Sequence, residues 1–147
     1  MSALFNPQGR SLIELLTVVA ILGLLTMLAG PSYRDMQARY QLRNAAVEIA
    51  SQLRMARQLA VARRERLRVR VDLQQRLLSL ERADKGDVLD VYRYGEKGVI
   101  LAPPSAGSEI LFHPSGRSAT ATSIEIAHTR GLRTKLTVNI AGRVTLS

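Results

Sequence analysis

The sequence predicts an α+β chain, with one long N-terminal helix packed on an antiparallel β domain. Three observations carry this expectation. Leu12 to Gly30 reads LIELLTVVAILGLLTMLAG, an apolar run with Glu14 as its only charge. Leu42, Ala46, Ile49, Leu53, Ala56 and Ala60 then recur at spacings of four and three, the stripe of an amphipathic helix. From Leu67 onward the apolar period becomes two, the signature of strands with one buried face.

The first element is the apolar run. Its nineteen residues would make roughly 28 Å of helix, about the thickness of a bilayer core. A carboxylate inside such a segment costs at least ~2.5 kcal/mol, which marks Glu14 as a functional residue by default. The residues before the run, MSALFNPQG, carry no charge, and no Ala-x-Ala cleavage site follows the run. The segment is therefore expected to stay in the mature chain as an anchor. Pro31 removes a backbone donor where anchor meets soluble region and is expected to bend the helix there.

In the second part of the helix, Arg39, Arg43, Arg54, Arg57 and Arg64 mostly fall off the stripe and are expected to face solvent. The stripe is expected to be the seam against a sheet. Strand signals then follow at Leu67–Val71, Leu78–Leu80, Val88–Tyr94, Ser123–Ala127, Leu132–Ile140 and Val144–Leu146, with Leu136, Val138 and Ile140 on one face. Gly86, Gly95, Gly98, Pro103, Pro104, Gly107 and Gly142 punctuate the turns. The expected organisation is 1–9 as a leader, 10–31 as the membrane or filament-core helix, 32–66 as its amphipathic continuation and 67–147 as the β domain.

Composition narrows the function. The 147 residues contain no cysteine, which excludes a disulfide scaffold and thiolate metal sites. His113 and His128 lack a second ligand at metal-binding spacing. No catalytic triad order, nucleotide-binding glycine loop or HExxH motif is present, so neither an enzyme, a metal site nor a cofactor is expected. The formal charge of +9 is uneven: residues 32–70 hold a net +7, residues 71–112 a net −2 and residues 113–147 a net +4. Such asymmetry fits either a polyanion-binding face or a solvated helix face.

The run Gly9-Arg10-Ser11-Leu12-Ile13-Glu14, with Pro31 twenty-two residues beyond Gly9, resembles the start of the type IV pilin and pseudopilin superfamily. The resemblance implies that a prepilin peptidase cuts between Gly9 and Arg10 and methylates the new amine of Arg10. It also implies that Glu14 and Pro31 serve assembly. Cleavage would place a positive amine one turn from Glu14, or within reach of a neighbouring subunit's Glu14, and pairing there would fix the docking register. A simpler reading is an i,i+4 pair between Arg10 and Glu14 at the membrane edge. This chain has Arg10 where the superfamily usually has Phe or Met, and its leader lacks a basic residue before the glycine. Arg34, Arg39 and Arg43 after the anchor are, by the positive-inside rule, on the less favoured side.

A second set of motifs covers the rest. Leu53-Arg54-Met55-Ala56-Arg57-Gln58-Leu59-Ala60, Phe112-His113-Pro114-Ser115-Gly116 and Gly142-Arg143-Val144 together resemble the GspH/FimT family of minor pilins and pseudopilins. That resemblance implies a structural subunit at or near the tip of a type II secretion pseudopilus or type IV pilus. Its implied partners are other pilin or pseudopilin subunits, the prepilin peptidase, the inner-membrane assembly machinery and, before assembly, membrane lipid. The implied location is a single-pass inner-membrane position with the globular part in the periplasm, then the filament. The alternative is a DNA-binding minor pilin for uptake in natural transformation. Its candidate polyanion contacts are Arg117, Arg130, Arg133, Lys135 and Arg143, although Thr145 stands where the glycine-arginine motif of some relatives has a second arginine.

Overall fold

In the computed structural model one helix, α1, runs over Pro7–Arg63. The structure describes residues 7–147, except for the side chains of 7–11 and 28–32. Packing divides the chain after Gln37, and Ala38–Ser147 forms a unit of its own. Every buried apolar residue among the described ones lies within that unit, so it carries its own core.

The helix stops for a backbone reason. Arg64 sits at φ 54, Glu65 N–H donates to Ala60 C=O at 3.2 Å, and Arg64 N–H donates to Val61 C=O at 3.3 Å. This is the paired closure of a Schellman motif, with arginine at the left-handed position where glycine is usual. The chain then turns directly into the first strand.

Eight strands follow: β1 Leu67–Asp72, β2 Leu77–Arg82, β3 Val88–Arg93, β4 Val99–Leu101, β5 Glu109–Phe112, β6 Thr122–His128, β7 Arg133–Val138 and β8 Val144–Leu146. A single 3-10 turn, Gly95–Lys97, joins β3 to β4. All pairings are antiparallel, as expected, but the strands divide into two four-stranded sheets, ordered β3-β2-β1-β5 and β4-β6-β7-β8.

The expected stripe is the seam. Leu42, Ala46, Ile49, Leu53, Ala56 and Ala60 are buried in one cluster with the inward residues of both sheets, including Val69, Leu80, Phe112, Ile126 and Leu136. Alternation along β6 is complete, with every second residue buried from Thr122 to His128. Strands β4 and β5 have no counterpart in the sequence-based expectation. Each has only three or four residues between glycine and proline breaks, too short for alternation to register. Leu101, Ile110 and Phe112 nonetheless enter the core.

One boundary moves. Ile140 is expected on the buried face with Leu136 and Val138, yet β7 ends at Val138 and Ile140 is exposed. Asn139 begins a tight turn: Gly142 N–H donates to Asn139 C=O at 2.9 Å, and Asn139 N–H to Arg143 C=O at 3.1 Å. Asn139 Oδ1 also accepts the Arg143 N–H at 2.8 Å. The turn reverses the chain before a third alternating residue can point inward.

Candidate functional site

Two regions carry the sequence-derived candidates. The first is α1 over residues 12–27. Leu12 is 68% exposed and Met27 82%, and the large apolar side chains between them are exposed on all sides of the helix. Its polar side chains are accommodated locally. Thr17 Oγ1 donates to Ile13 C=O at 2.8 Å, and Thr26 Oγ1 to Gly23 C=O at 2.8 Å. These back-bonds satisfy hydroxyls without outside partners, as suits an apolar surrounding. Glu14 is exposed and is the only charge of the stretch.

Gly9 and Arg10 fall within the helical backbone, but their side chains, like that of Pro31, lie outside the described residues, as do most of the leader positions. Among the described residues no helix is long and apolar enough to cross a membrane. The side chains of the apolar run are described only over 12–27, short of the ~20 residues a span needs.

The second region assembles three motifs that are far apart in sequence. Arg57 Nε, on the helix, donates to Gly116 C=O at 2.8 Å. Arg54 Nη2, one turn earlier, donates to Val144 C=O at 3.1 Å. Gly142 has φ +74, and a Cβ there would lie 2.1 Å from Gly116 O and 2.8 Å from Arg57 Nε. The late-helix arginines, the His113–Gly116 turn and the Gly142-Arg143 turn therefore meet at one place. Arg54 and Arg57 are exposed, as expected, and their guanidinium groups also donate to backbone carbonyls of the β domain that have no ladder partner. Sequence period alone cannot find such a role; the carbonyl acceptors are set by tertiary packing.

The five basic candidates of the last third do not form one patch. Arg117 and Arg143 follow the touching glycines, Gly116 and Gly142, and both are exposed. Arg130 lies in the β6–β7 hairpin, at the other end of β7 from Arg143. Arg133 pairs with Glu125 at 2.9 Å, and Lys135 is that same glutamate's cross-strand neighbour. The excess charge of residues 32–70 is also partly answered. Arg66 pairs with Asp84, while Arg68 and Arg70 both reach Glu109 at 3.0 Å. The hydrogen bond from Arg68 first, and then that from Arg70, hold the Glu109 carboxyl below its ordinary value.

On the other flank of the helix, Glu48 accepts from the Tyr92 hydroxyl and pairs with Lys97 at 3.2 Å. The Tyr92 hydrogen bond, followed by Lys97, lowers the Glu48 carboxyl below 4.5. Burial and then Glu48 itself push the Tyr92 phenol well above its usual range. The histidines have structural surroundings. His128 Nε2 lies 3.1 Å from Gln41 Oε1, and its Nδ1 accepts the Arg130 N–H at 3.2 Å. His113 opens the turn that ends at Gly116. Among the described residues no group of His, Asp and Glu is arranged to hold a metal ion.

Comparison with known proteins agrees with this arrangement. Solved structures of minor pilins and pseudopilins share the fold. The type IV minor pilin FimU of Pseudomonas aeruginosa aligns with TM-score 0.63 and 22% identity, over 74% of this chain and 90% of that one. The minor pseudopilin EpsH from the type 2 secretion system of Vibrio cholerae aligns with TM-score 0.61 and 19% identity, over 73% and 96%. Two curated relatives, both described as fimbrial protein from Pseudomonas aeruginosa, are 46% identical over 44 residues. That match spans only 30% of this chain and 29% of theirs. The proteins of this likeness are structural pilin subunits rather than enzymes. The profile of the type II transport protein GspH matches residues 45–142, a stretch that holds the helix seam from Ala46 on, strands β1 to β7 and the converging motifs as far as Gly142, and the chain belongs to that family.

Proposed function

We propose that this chain is a minor pilin or pseudopilin held in the inner membrane by residues 10–31 until assembly draws that helix into a filament. Its globular part is displayed in the periplasm, at or near the filament tip, where it helps initiate assembly and contacts partners or cargo. The observation that carries this reading is the segment 12–27, whose apolar side chains are exposed on every face of the helix, ahead of a GspH-type domain. Exposed apolar surface of that extent requires lipid or other subunits around it.

In this reading the prepilin peptidase cleaves after Gly9 and methylates Arg10, and the new amine pairs with Glu14 of the same or a neighbouring subunit. Pro31 marks the passage from anchor to amphipathic helix. The test is mass spectrometry of the membrane-extracted protein, combined with filament incorporation of Glu14→Gln. The mature N-terminus is expected at methyl-Arg10, with incorporation reduced by the substitution. An intact leader together with normal incorporation of the variant would overturn the reading.

A second reading, DNA binding during uptake, is favoured by one observation: the touching turns place Arg117 and Arg143 together at one end of the domain. Backbone phosphates are recognised by such paired cations, with affinity that falls steeply with salt. Arg117→Ala combined with Arg143→Ala should abolish salt-sensitive binding, whereas Arg130→Ala should not. Equal effects of the two changes would remove this reading.

A further inference from the structure

A groove of about 510 Å³ lies between α1 and the outer strand β8. Leu42, Ala46, Val47, Leu132 and Leu146 give it an apolar lining, and Arg39 and Arg43 stand at its rim. Among the described residues these two arginines are exposed and have no acidic partner. Arg133, which also lines the groove, is already answered by Glu125. The groove has two distinct ends. Arg54 bonds to Val144 C=O at one of them. Arg39 and Arg43, roughly three to four turns earlier on the helix, mark the other, with Leu132 and Ser147.

Beside this groove the sheet is unfinished. β8 ends the order β4-β6-β7-β8, so no strand covers its outer side. Lys135 and Ser147 exchange both main-chain bonds at 2.9 Å, which sets the alternation along β8. Thr145 bonds back to β7, whereas the main-chain groups of Val144 and Leu146 turn away from it. Arg54 takes the Val144 carbonyl. The N–H and C=O of Leu146 are left directed at the open side, where the Leu146 side chain joins the apolar lining. A free donor and acceptor on an edge strand form a template for one more strand.

We propose that this groove docks an extended segment of another protein, which adds an antiparallel strand to β8 and reads acid-x-acid-x-apolar. The residue opposite Leu146 exchanges main-chain bonds with it and points its side chain to the same face, against Ala46 and Val47, so it must be apolar. Two strand residues advance about 6.6 Å and one helical turn about 5.4 Å, so carboxylates at alternate positions keep pace with Arg43 and Arg39. A lipid headgroup would use the arginines but not the Leu146 main chain, so the strand edge selects a polypeptide. None of the chain's own acidic residues stands two places from another, so the segment belongs to a different protein. The proposal gives the chemistry of the partner contact inferred above and rests on that reading only for where the partner is met. Its failure would leave the test of leader cleavage and assembly standing.

The probe is a fluorescent, end-blocked peptide of the order glutamate-threonine-glutamate-threonine-valine-threonine. It is titrated by anisotropy into the full-length chain in neutral detergent micelles, with empty micelles as the blank. Micromolar binding is expected. Arg39→Glu with Arg43→Glu should weaken it about tenfold, and lysines in place of the probe's glutamates should restore binding to that variant. Lys85→Glu with Arg93→Glu, an equal charge change at exposed positions outside the groove, should leave it unchanged. Methylating the amide nitrogen of the probe's valine should weaken binding about tenfold by removing the bond to Leu146 C=O. The unmethylated probe should protect the Leu146 amide from hydrogen exchange. Absent binding, equal losses in the two charge variants, or insensitivity to methylation would overturn the proposal. So would association with phosphatidylglycerol vesicles that depends on Arg39 and Arg43 while the probe does not bind.

Discussion

Residues 12–27 and 38–63 belong to one helix and use the same leucines, valines, isoleucines and alanines, yet their surroundings are opposite. In the first stretch apolar side chains cover every face and all stay exposed; in the second they form a stripe, and Ile49 and Leu53 are fully buried. Helix formation therefore says little about what a segment is for. The angular distribution of the apolar residues says more: a stripe is satisfied by a sheet, whereas an all-round apolar surface calls for lipid or other helices.

Truncating a leucine on each side is the most direct way to break this comparison. Leu53→Ala should cost the globular unit ~2–5 kcal/mol, because it leaves a cavity among packed side chains. Leu22→Ala should change that unit's unfolding free energy by less than ~0.5 kcal/mol. Denaturant unfolding of full-length chains in micelles, followed by a signal from the β domain, measures both. A comparable loss in the two variants would mean that residues 12–27 pack on the domain.

The second stretch is also held by hydrogen bonds that the first lacks. Gly142→Ala should destabilise by ~3 kcal/mol, since it combines an unfavourable positive φ with a Cβ driven into the Gly116 carbonyl. Thermal melts of the variant and the parent would register this. Arg57→Ala should cost ~1.5–3 kcal/mol by leaving the Gly116 carbonyl without its charged donor. Arg57→Lys should recover only part of that loss, as a point charge does not reproduce the guanidinium geometry.

Smaller effects sharpen the boundary of the helix and its charged flank. Arg64→Gly should raise stability by up to ~1 kcal/mol, because glycine adopts φ 54 without strain. Glu48 has a lowered carboxyl in the folded state, so its contribution is present above about pH 4.5 and is lost as the pH falls through the folded-state value. Glu48→Gln should therefore lower stability at neutral pH, leave it little changed near pH 3 and so flatten the acid limb of the stability profile, a difference that parallel melts between pH 3 and 7 would resolve.

Much of this architecture is legible in the residue pattern alone. The stripe from Leu42 to Ala60 marks the seam, because a 3.6-residue period can bury only one face of a helix. Alternation in β1, β6 and β7 marks strands for the equivalent reason. The roles of Arg54 and Arg57 are not legible there, since their acceptors, Val144 and Gly116, are 90 and 59 residues away. Nor can the pattern tell that Arg117 and Arg143 share one end of the domain while Arg130 occupies the other, because that depends on strand direction and register.

By itself, then, the sequence determined the longer elements and most of their faces: an apolar helix with one carboxylate, an amphipathic continuation and the longer antiparallel strands. These follow from local periodicity, which the backbone geometry of helix and strand imposes on any chain. The tertiary structure alone decided that the strands form two sheets, that Gly116 and Gly142 abut under Arg57, and that a basic apolar groove opens beside β8. Each of those depends on which distant segments become neighbours, and burial of a shared core selects that pairing without leaving a local signal in the residues that meet.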